Sequence, residues 1–277
     1  MTGRVITSRS NQKIQHAREV RDGKVRKEIF VEGVRLCEEA LRAELEIHEA
    51  LATEKVSGEE RARGLLAEIM ERGAQVSLIS DQLMNYISAT KATQGVILVA
   101  RRPATGKEIL EESLAATPLV VVVHGMNNPS NAGAILRTAE AAGATGLIAT
   151  TGTTYLFAPK ALRGAMGSSF RLPLWLGADF SEALAWCRRR GITTVATAAA
   201  AAKNFSEIDW TTPRAIIIGP EAMGLTREEI GAADESVRIP MQRPVESLNA
   251  AVACGIILYE AVRQRKASMK TEGGGMK

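Results

Sequence analysis

Three segments rich in Gly, Asn, Ser and Pro hold most of the residues that could take part in catalysis. They are residues 124–139 (HGMNNPSNAGAILRTA), residues 162–173 (LRGAMGSSFRLP) and a third set formed by 218–225, 238–241 and 246–249. Ligands of parallel α/β sheets bind at the carboxyl ends of strands, where such loops lie. Neither G-x-G-x-x-G nor G-x-x-x-x-G-K-[ST] occurs in these segments, which disfavours a Rossmann-type methyltransferase, a reductase or a P-loop enzyme.

The three segments resemble the three motifs of the SpoU (TrmH) branch of the SPOUT methyltransferases. Residues 131–139 are similar to the first motif and residues 163–173 to the second. Residues 219–225, 239–241 and 247–249 of the third set are similar to the third motif. The resemblance covers residues 118 to about 265. The start of the chain, at 6–14 and 30–33, is similar to the L30e-like substrate-binding domain of these enzymes. The resemblance implies transfer of a methyl group from S-adenosylmethionine to a ribose 2′-oxygen of structured RNA, with 23S-type ribosomal RNA as the expected substrate.

Two alternatives share this fold: a tRNA 2′-O-methyltransferase, and a non-catalytic RNA-binding or ribosome-binding module. The joint presence of the five polar motif residues described next favours an enzyme. Three departures from the family's pattern change the polarity of a pocket wall. They are Asn128 where Asp is frequent, Ala165 where Ser is frequent and Pro220 where Asn is common.

Five polar residues are expected in the catalytic site: Arg137, Asn131, Glu221, Ser247 and Asn249. The resemblance makes Arg137 the catalytic arginine. Because a guanidinium stays protonated, we expect it to hold the target phosphate or the 2′-oxygen as negative charge develops. Asn131 is expected to cap the helix that carries Arg137, and Ser247 to cap the terminal helix with Asn249 two residues inside it. Glu221 is expected to orient Arg137 or Asn249.

Four residues of the third motif are expected to bind the cofactor, S-adenosylmethionine: Gly219, Ile239, Leu248 and Met241. Backbone N–H and C=O groups can bind the adenine edge and the methionine tail, while apolar side chains enclose the ring. Considered alone, Ile239 and Leu248 are more typical of a core.

The placement of charge indicates a second binding function. The net charge of the chain is +4. Residues 1–27 hold eight basic and two acidic side chains, a net charge of +6, and residues 263–277 carry +4, so the rest of the chain carries −6. Basic ends on a mildly acidic body are typical of proteins that bind a phosphate backbone, and equally of solvated chain ends. The residues expected to bind RNA are Arg9, Arg18, Arg21, Lys24, Arg26 and, from the second motif, Arg163.

The hydrophobic pattern predicts an α/β protein of two domains. Apolar runs at 119–123 and 215–218 are typical of strands buried on both faces, and helical segments between the strands predict a parallel sheet. The predicted helices of this region are 132–142, 181–190 and 248–265. The predicted domains are an L30e-like RNA-binding domain at 1–105 with a basic N-terminal segment and a catalytic domain at 106–265, followed by a disordered tail at 266–277.

The resemblance further implies a SPOUT catalytic fold with a trefoil knot and a homodimer with the terminal helix near its interface. The longest aliphatic run, at 119–123, is far shorter than the ~20 residues that span a bilayer, and no membrane is expected as a partner. The three scattered cysteines favour a reducing cytoplasm. The three histidines, His16, His48 and His124, are not spaced as metal ligands, so we expect no metal and assign them no role.

Overall fold

The computed structural model describes residues 5–243 and 247–273, and these form two units. Unit 1 consists of the chain up to Pro103 and the segment Tyr155–Arg171. Unit 2 consists of Ala104–Thr154 and the chain from Leu172 onward.

Unit 1 is built on a mixed four-stranded sheet. Its strands are β1 (Glu28–Glu32), β2 (Ile47–Ala52), β3 (Gln75–Leu78) and β4 (Val96–Arg101), in the spatial order β1-β4-β2-β3. Strand β4 pairs antiparallel with β1 and β2, and β3 pairs parallel with β2. The helices before β4 are α1 (Gln12–Arg21), α2 (Val34–Arg42), α3 (Glu54–Ser57), α4 (Glu60–Glu71) and α5 (Asp81–Ile87). Two short helices from the later segment are numbered α8 (Pro159–Ala165) and α9 (Ser168–Arg171) in chain order.

The core of unit 1 follows from the spacing of apolar residues in α1. Ile14, Ala17 and Val20 recur every three residues, so they lie on one face of the helix and share a buried core with the sheet. Asn11 caps α1, and its side chain accepts a hydrogen bond from the Lys13 N–H at 3.0 Å. The pattern of residues 10–20 predicts a helix there with either Ser10 or Asn11 as its cap, and α1 confirms the helix with Asn11 as the cap.

The segment Tyr155–Arg171 contains most of the second motif, which the sequence predicts within the domain at 106–265. In the structure it belongs to unit 1. Helix α8 packs on β1, and Arg171 forms an ion pair with Glu39 at 2.7 Å. These contacts join residues more than a hundred positions apart, which is why no local pattern indicates them.

Unit 2 is built on a parallel seven-stranded sheet. Its strands are β5 (Leu119–Val123), β6 (Gly146–Thr150), β7 (Leu174–Ala178), β8 (Thr193–Thr197), β9 (Lys203–Asn204), β10 (Arg214–Ile218) and β11 (Glu235–Arg238), in the order β7-β6-β5-β10-β8-β11-β9. The helices of this unit are α6 (Lys107–Glu112), α7 (Pro129–Ala141), α10 (Phe180–Arg189), α11 (Arg227–Ala232) and α12 (Ala250–Gly273).

The apolar runs at 119–123 and 215–218 are strands β5 and β10, as predicted. They are neighbours in the interior of the sheet, with Val121 opposite Ile216, and all their residues are buried. A strand between two others, with helices on both faces, has no solvated side, so both runs are apolar at every position.

Helix α12 is longer than the sequence predicts. The sequence predicts that the terminal helix ends at 265 and that a disordered tail begins at 266, but α12 continues to Gly273. Its middle is anchored because Gln264 Nε2 donates to the Ile208 carbonyl at 3.0 Å and Arg265 Nε donates to the Trp210 carbonyl at 2.8 Å. Residues 274–277 lie outside the described residues. Across the described part of the chain, every helix is too short or too polar to cross a membrane.

We expect the centre of the unit 2 sheet to be sensitive to a loss of side-chain volume. Ile217 is fully buried between β5 and β8, so Ile217→Val should lower the free energy of unfolding by about 0.5–1.5 kcal/mol and Ile217→Ala by about 2–5 kcal/mol. The three tryptophans of the chain, Trp175, Trp186 and Trp210, belong to unit 2, so tryptophan fluorescence during urea unfolding reports on this unit. Met223→Ala, at an exposed position, is the control and should stay within about 0.5 kcal/mol. Equal effects for Ile217→Ala and the control would contradict this account of the core.

Candidate active site

The loops of the first and third motifs lie side by side because their strands are neighbours. Val123 at the end of β5 stands opposite Ile218 at the end of β10, and the His124 N–H donates to the Ile218 carbonyl at 2.8 Å. Both strands run in the same direction, so the polar residues that follow them emerge at the same edge of the sheet.

A carboxylate and two amides form a cluster at this edge. Glu221 Oε1 accepts a hydrogen bond from Asn131 Nδ2 at 3.2 Å, and Asn131 Oδ1 accepts one from Asn249 Nδ2 at 3.0 Å. The Glu221 carboxylate also accepts from the backbone N–H groups of Asn127 and Asn128, at 3.4 and 3.3 Å. Three of the five expected catalytic residues therefore contact one another. Glu221 is linked to Asn249 through Asn131, and among the described residues it forms no hydrogen bond or ion pair with Arg137.

The helix caps beside this cluster differ from those expected. Helix α7 begins at Pro129 with Asn128 as its N-cap, whose side chain accepts from the Ser130 N–H at 2.9 Å. Proline is well suited to the first helical position, so the helix starts earlier than a cap at Asn131 would allow. Asn131 lies inside the first turn, and its side chain is available to Glu221.

Asn249 is the N-cap of α12 and not a residue inside it. Its Oδ1 accepts from the backbone N–H groups of Ala251 and Val252, at 2.9 and 3.3 Å. The predicted cap at Ser247 is therefore wrong: Ser247 is exposed and stands before the helix, without a hydrogen bond inside the described part of the chain. The Asn249 side chain serves both purposes, because its oxygen caps α12 while its nitrogen binds Asn131.

Arg137 is exposed on α7, six residues after Asn131 and about 120° around the helix axis from it. Within residues 5–243 and 247–273 its guanidinium forms no hydrogen bond and no ion pair. An arginine without a carboxylate partner can bind phosphate through two parallel N–H groups. Its position thus suits the role expected for it from the sequence.

The expected cofactor residues lie on loops of the third motif. Gly219 is buried in the turn after β10, and a Cβ built there would lie 2.8 Å from the Leu225 backbone nitrogen. The turn is therefore too tight for a side chain, because Leu225 packs directly against this glycine. Ile239 and Leu248 are half-buried and Met241 is exposed. Partly exposed apolar side chains beside a tight glycine turn at a strand end fit an adenosyl group. Glu246 of the same motif lies outside the described residues.

His124, for which the sequence predicts no role, joins two elements of this edge. One ring nitrogen, Nδ1, lies 2.8 Å from the Thr150 hydroxyl, and the other, Nε2, lies 2.9 Å from a Glu229 carboxylate oxygen. Glu229 also accepts from the backbone N–H of Thr226 at 2.7 Å in the capping box that begins α11. Burial raises the pKa of Glu229, but its hydrogen bonds to Thr226 and His124 lower the pKa by more. The pKa of this carboxyl therefore lies below its usual value. The T-x-x-E pattern at 226–229 is a sequence signal for this capping box, but it does not indicate the contact with His124.

The basic side chains around α1 divide into two groups. Arg9 and Arg18 lie against the Tyr86 ring, 4.3 and 4.4 Å from its centroid, and Arg18 also donates to the Tyr86 hydroxyl. Arg21 Nη1 donates to the backbone carbonyls of Tyr86 and Ile87, at 3.2 and 3.1 Å. Arg18 and Arg21, both expected to bind RNA, thus hold the carboxyl end of α5 in place.

The remaining cations expected to bind RNA are more open. Lys24 and Arg26 are exposed, and the Arg26 guanidinium lies 4.3 Å from the centroid of the Tyr155 ring. Arg163 is half-buried in α8, and its Nη1 is buried without a hydrogen-bond partner. These three side chains keep charge that no carboxylate in the described ranges neutralises.

Comparison with known proteins identifies related chains along most of the sequence. Residues 118–259 match the family model of the SpoU rRNA methylase family, and residues 30–106 match that of RNA 2′-O ribose methyltransferase substrate binding. The chain is 37% identical over 177 residues to the 23S rRNA (guanosine-2′-O-)-methyltransferase RlmB of Pseudomonas putida, covering 62% of this chain and 71% of that protein. It is 32% identical over 264 residues to the 23S rRNA (adenosine(1067)-2′-O)-methyltransferase of Streptomyces laurentii, covering 94% and 96%.

A solved structure agrees with these matches. The SpoU methyltransferase AviRb from Streptomyces viridochromogenes, in complex with the cofactor AdoMet, superposes with a TM-score of 0.82 at 30% identity, covering 93% of this chain and 99% of that one. The motifs, the sheet and the two matched regions agree, and the chain belongs to the SpoU rRNA methylase family.

Proposed function

We propose that this protein transfers the methyl group of S-adenosylmethionine to a ribose 2′-oxygen of 23S ribosomal RNA. The observation that carries the proposal is the bonded cluster of Asn131, Glu221 and Asn249 at the strand ends, together with the unpaired Arg137 on the helix that carries Asn131. The two relatives named above act on a guanosine and on an adenosine of 23S rRNA, so the proposal covers this RNA and not the nucleotide.

The cofactor is held by the third motif in this proposal. Backbone groups at Gly219 and the apolar side chains of Ile239, Leu248 and Met241 enclose it. When bound, S-adenosylmethionine supplies a methyl carbon made electrophilic by the attached sulfonium. The tight turn at Gly219 supports this assignment, because it requires a glycine at the end of β10, where ligands of parallel sheets bind.

The chain's own polar residues position the RNA and stabilise charge. Arg137 holds the target phosphate or the 2′-oxygen while that oxygen becomes negative. Glu221 fixes the Asn131 amide, and Asn131 together with the cap of α12 fixes the Asn249 amide. An amide held on both sides keeps one orientation, which favours alignment of the ribose for in-line displacement. Ser247, exposed just before Asn249, completes the proposed site.

The proposal includes features that the family resemblance implies. They are the trefoil knot around the third motif, an RNA-binding domain at 1–105 followed by a catalytic domain at 106–265, a homodimer and action in the cytoplasm. Support for the homodimer comes from α12, where Val252 and Tyr259 are 51% and 54% exposed and Ile256 between them is half-buried. An apolar stripe of this kind suits a subunit interface.

Methyl transfer tests the function directly. Wild-type protein should transfer labelled methyl groups to in vitro-transcribed 23S rRNA, and nuclease digestion with mass spectrometry should find a 2′-O-methylated nucleoside. Arg137→Ala should lower kcat by about 10²–10³ and leave the affinity for S-adenosylmethionine within a few-fold, because removal of one charge-stabilising donor has this effect. Arg137→Lys should also be slow, since an ammonium lacks the planar fork.

Arg189→Ala is the matched control for this experiment, because Arg189 is another exposed arginine of unit 2 outside the site. It should keep wild-type activity. Near wild-type transfer by Arg137→Ala would reject the assigned role, and methylation of tRNA in place of 23S rRNA would reject the proposed substrate.

The cofactor site is tested by two glycine substitutions. Gly219→Ala should lower the affinity for S-adenosylmethionine by about tenfold or more, because the new Cβ lies 2.8 Å from backbone and the turn must shift. Gly231→Ala in α11 adds a Cβ into open space and should leave the affinity unchanged. Leu248→Arg should abolish binding. Calorimetry measures the three affinities, and unchanged values for both Gly219→Ala and Leu248→Arg would place the cofactor elsewhere.

RNA binding by the basic N-terminal segment is tested by substituting its exposed cations and its structural cations in separate variants. Lys24→Gln with Arg26→Gln should weaken RNA binding and reduce the slope of log K against log [salt] by up to about 0.7–0.9 for each phosphate that these side chains bind. Arg18→Gln with Arg21→Gln should lower the melting temperature, because these side chains hold α5. Filter binding across a salt series and thermal unfolding measure the two effects. Identical salt slopes for the first pair and wild type would show that its charges are only solvated.

A further inference from the structure

Unit 1 contains a cationic groove whose lining residues do not belong to a single sequence motif. It has a volume of about 530 Å³ and lies where the end of α1, the loop after α5 and the start of α8 meet. Four cations line it, against one carboxylate from Asp22. The cations are Arg21, Lys91, Lys160 and Arg163.

Three of these cations carry charge that the described part of the protein does not neutralise. Lys91 and Lys160 are exposed and form no ion pair within residues 5–243 and 247–273. Arg163 likewise has no carboxylate partner there, and its Nη1 is buried without an acceptor. Only Arg21 is paired: its Nε donates to Asp22 at 2.8 Å, and this bond lowers the pKa of Asp22. The groove therefore presents uncompensated positive charge.

The two walls of the groove are fixed to the same strand. Glu32, at the end of β1 and 5% exposed, accepts hydrogen bonds from the Ala89 N–H at 2.8 Å, from the Thr90 hydroxyl at 3.0 Å and from the Ser88 hydroxyl. This buried carboxylate holds the loop that carries Lys91. On the other side α8, which carries Lys160 and Arg163, packs on β1. The backbone segments that carry these cations are thus both fixed by contacts with β1.

We propose that this groove binds the sugar–phosphate backbone of the RNA substrate, with Lys91 and Lys160 as phosphate ligands. Lysine is a point charge that binds phosphate without a fixed orientation, and such contacts position an RNA without reading its bases. The inference rests on the proposed function, since it takes RNA as the substrate. It also assigns a task to the segment Tyr155–Arg171, which lies within the methylase match at 118–259 and completes a binding surface on unit 1.

The test compares two double substitutions of equal charge. Lys91→Gln with Lys160→Gln removes two groove cations. Lys55→Gln with Arg63→Gln removes two exposed cations of unit 1 that do not line the groove. Binding of a labelled, in vitro-transcribed 23S rRNA fragment is measured across a potassium chloride series, with S-adenosylmethionine affinity measured in parallel. The groove variant should lower the salt slope by about 1.4–1.8 and raise the KM for RNA with kcat unchanged. The control pair should match wild type, and both variants should bind S-adenosylmethionine normally.

Failure of this inference can be told apart from failure of the proposed function. If wild type methylates the RNA and the groove variant keeps its slope and KM, the groove is not the backbone site. Equal effects in the groove and control variants would also overturn it, because the effect would then be one of net charge. Displacement of the RNA by inorganic phosphate at matched ionic strength, in wild type but not in the groove variant, would assign a small-anion site and overturn the backbone assignment. Absence of RNA binding by wild type would reject both proposals.

Discussion

The parallel pairing of β5 with β10 is the contact on which the candidate active site depends. These strands lie about ninety residues apart in the chain, and their side-by-side position brings the loop of the first motif to the loop of the third. Strand β5 and residues 215–218 of β10 are apolar because the sheet buries them on both faces. The hydrophobic effect therefore favours the same pairing that assembles the site. Without this pairing, Asn131 and Glu221 would be separated while every motif residue kept its place along the sequence.

Some polar residues at this edge cap helices, and others form the candidate active site. Asn128 and Asn249 cap the two helices that begin here, and this frees Asn131 for the carboxylate of Glu221. The departures from the family's pattern fit this arrangement. Asn128 caps as well as an aspartate would, since the two residue types are about equal at N-caps. Ala165 is fully buried, and the Pro220 carbonyl accepts the Gly224 N–H at 2.9 Å in the turn after β10.

Basic side chains near the two ends of the chain also have a structural role, in addition to the phosphate binding and solvation that the composition suggests. Lys13 forms an ion pair with Glu49 and donates to the Ser77 hydroxyl, and Arg265 donates to backbone carbonyls beside α12. These cations stabilise the fold, so they are neither merely solvated nor free for RNA. The open cations of unit 1 that are assigned to RNA come from three separate segments, and one of these segments overlaps the second motif. A count of basic residues therefore indicates the binding of phosphate but not the residues that perform it.

The sequence by itself determined the family, the α/β class and the central strands. Apolar runs and motif spacings are local patterns, so they can be read without knowing which distant segments come together. It also predicted α1 from a three-residue spacing of apolar side chains, while the structure decided that Asn11 and not Ser10 is the cap. Only the tertiary structure decided that Asn131, Glu221 and Asn249 touch, that His124 reaches Glu229, and that Tyr155–Arg171 belongs to unit 1. These contacts join residues about 90 to 130 positions apart, and they arise from strand order and hydrogen-bond geometry, neither of which leaves a periodic trace in the residues concerned.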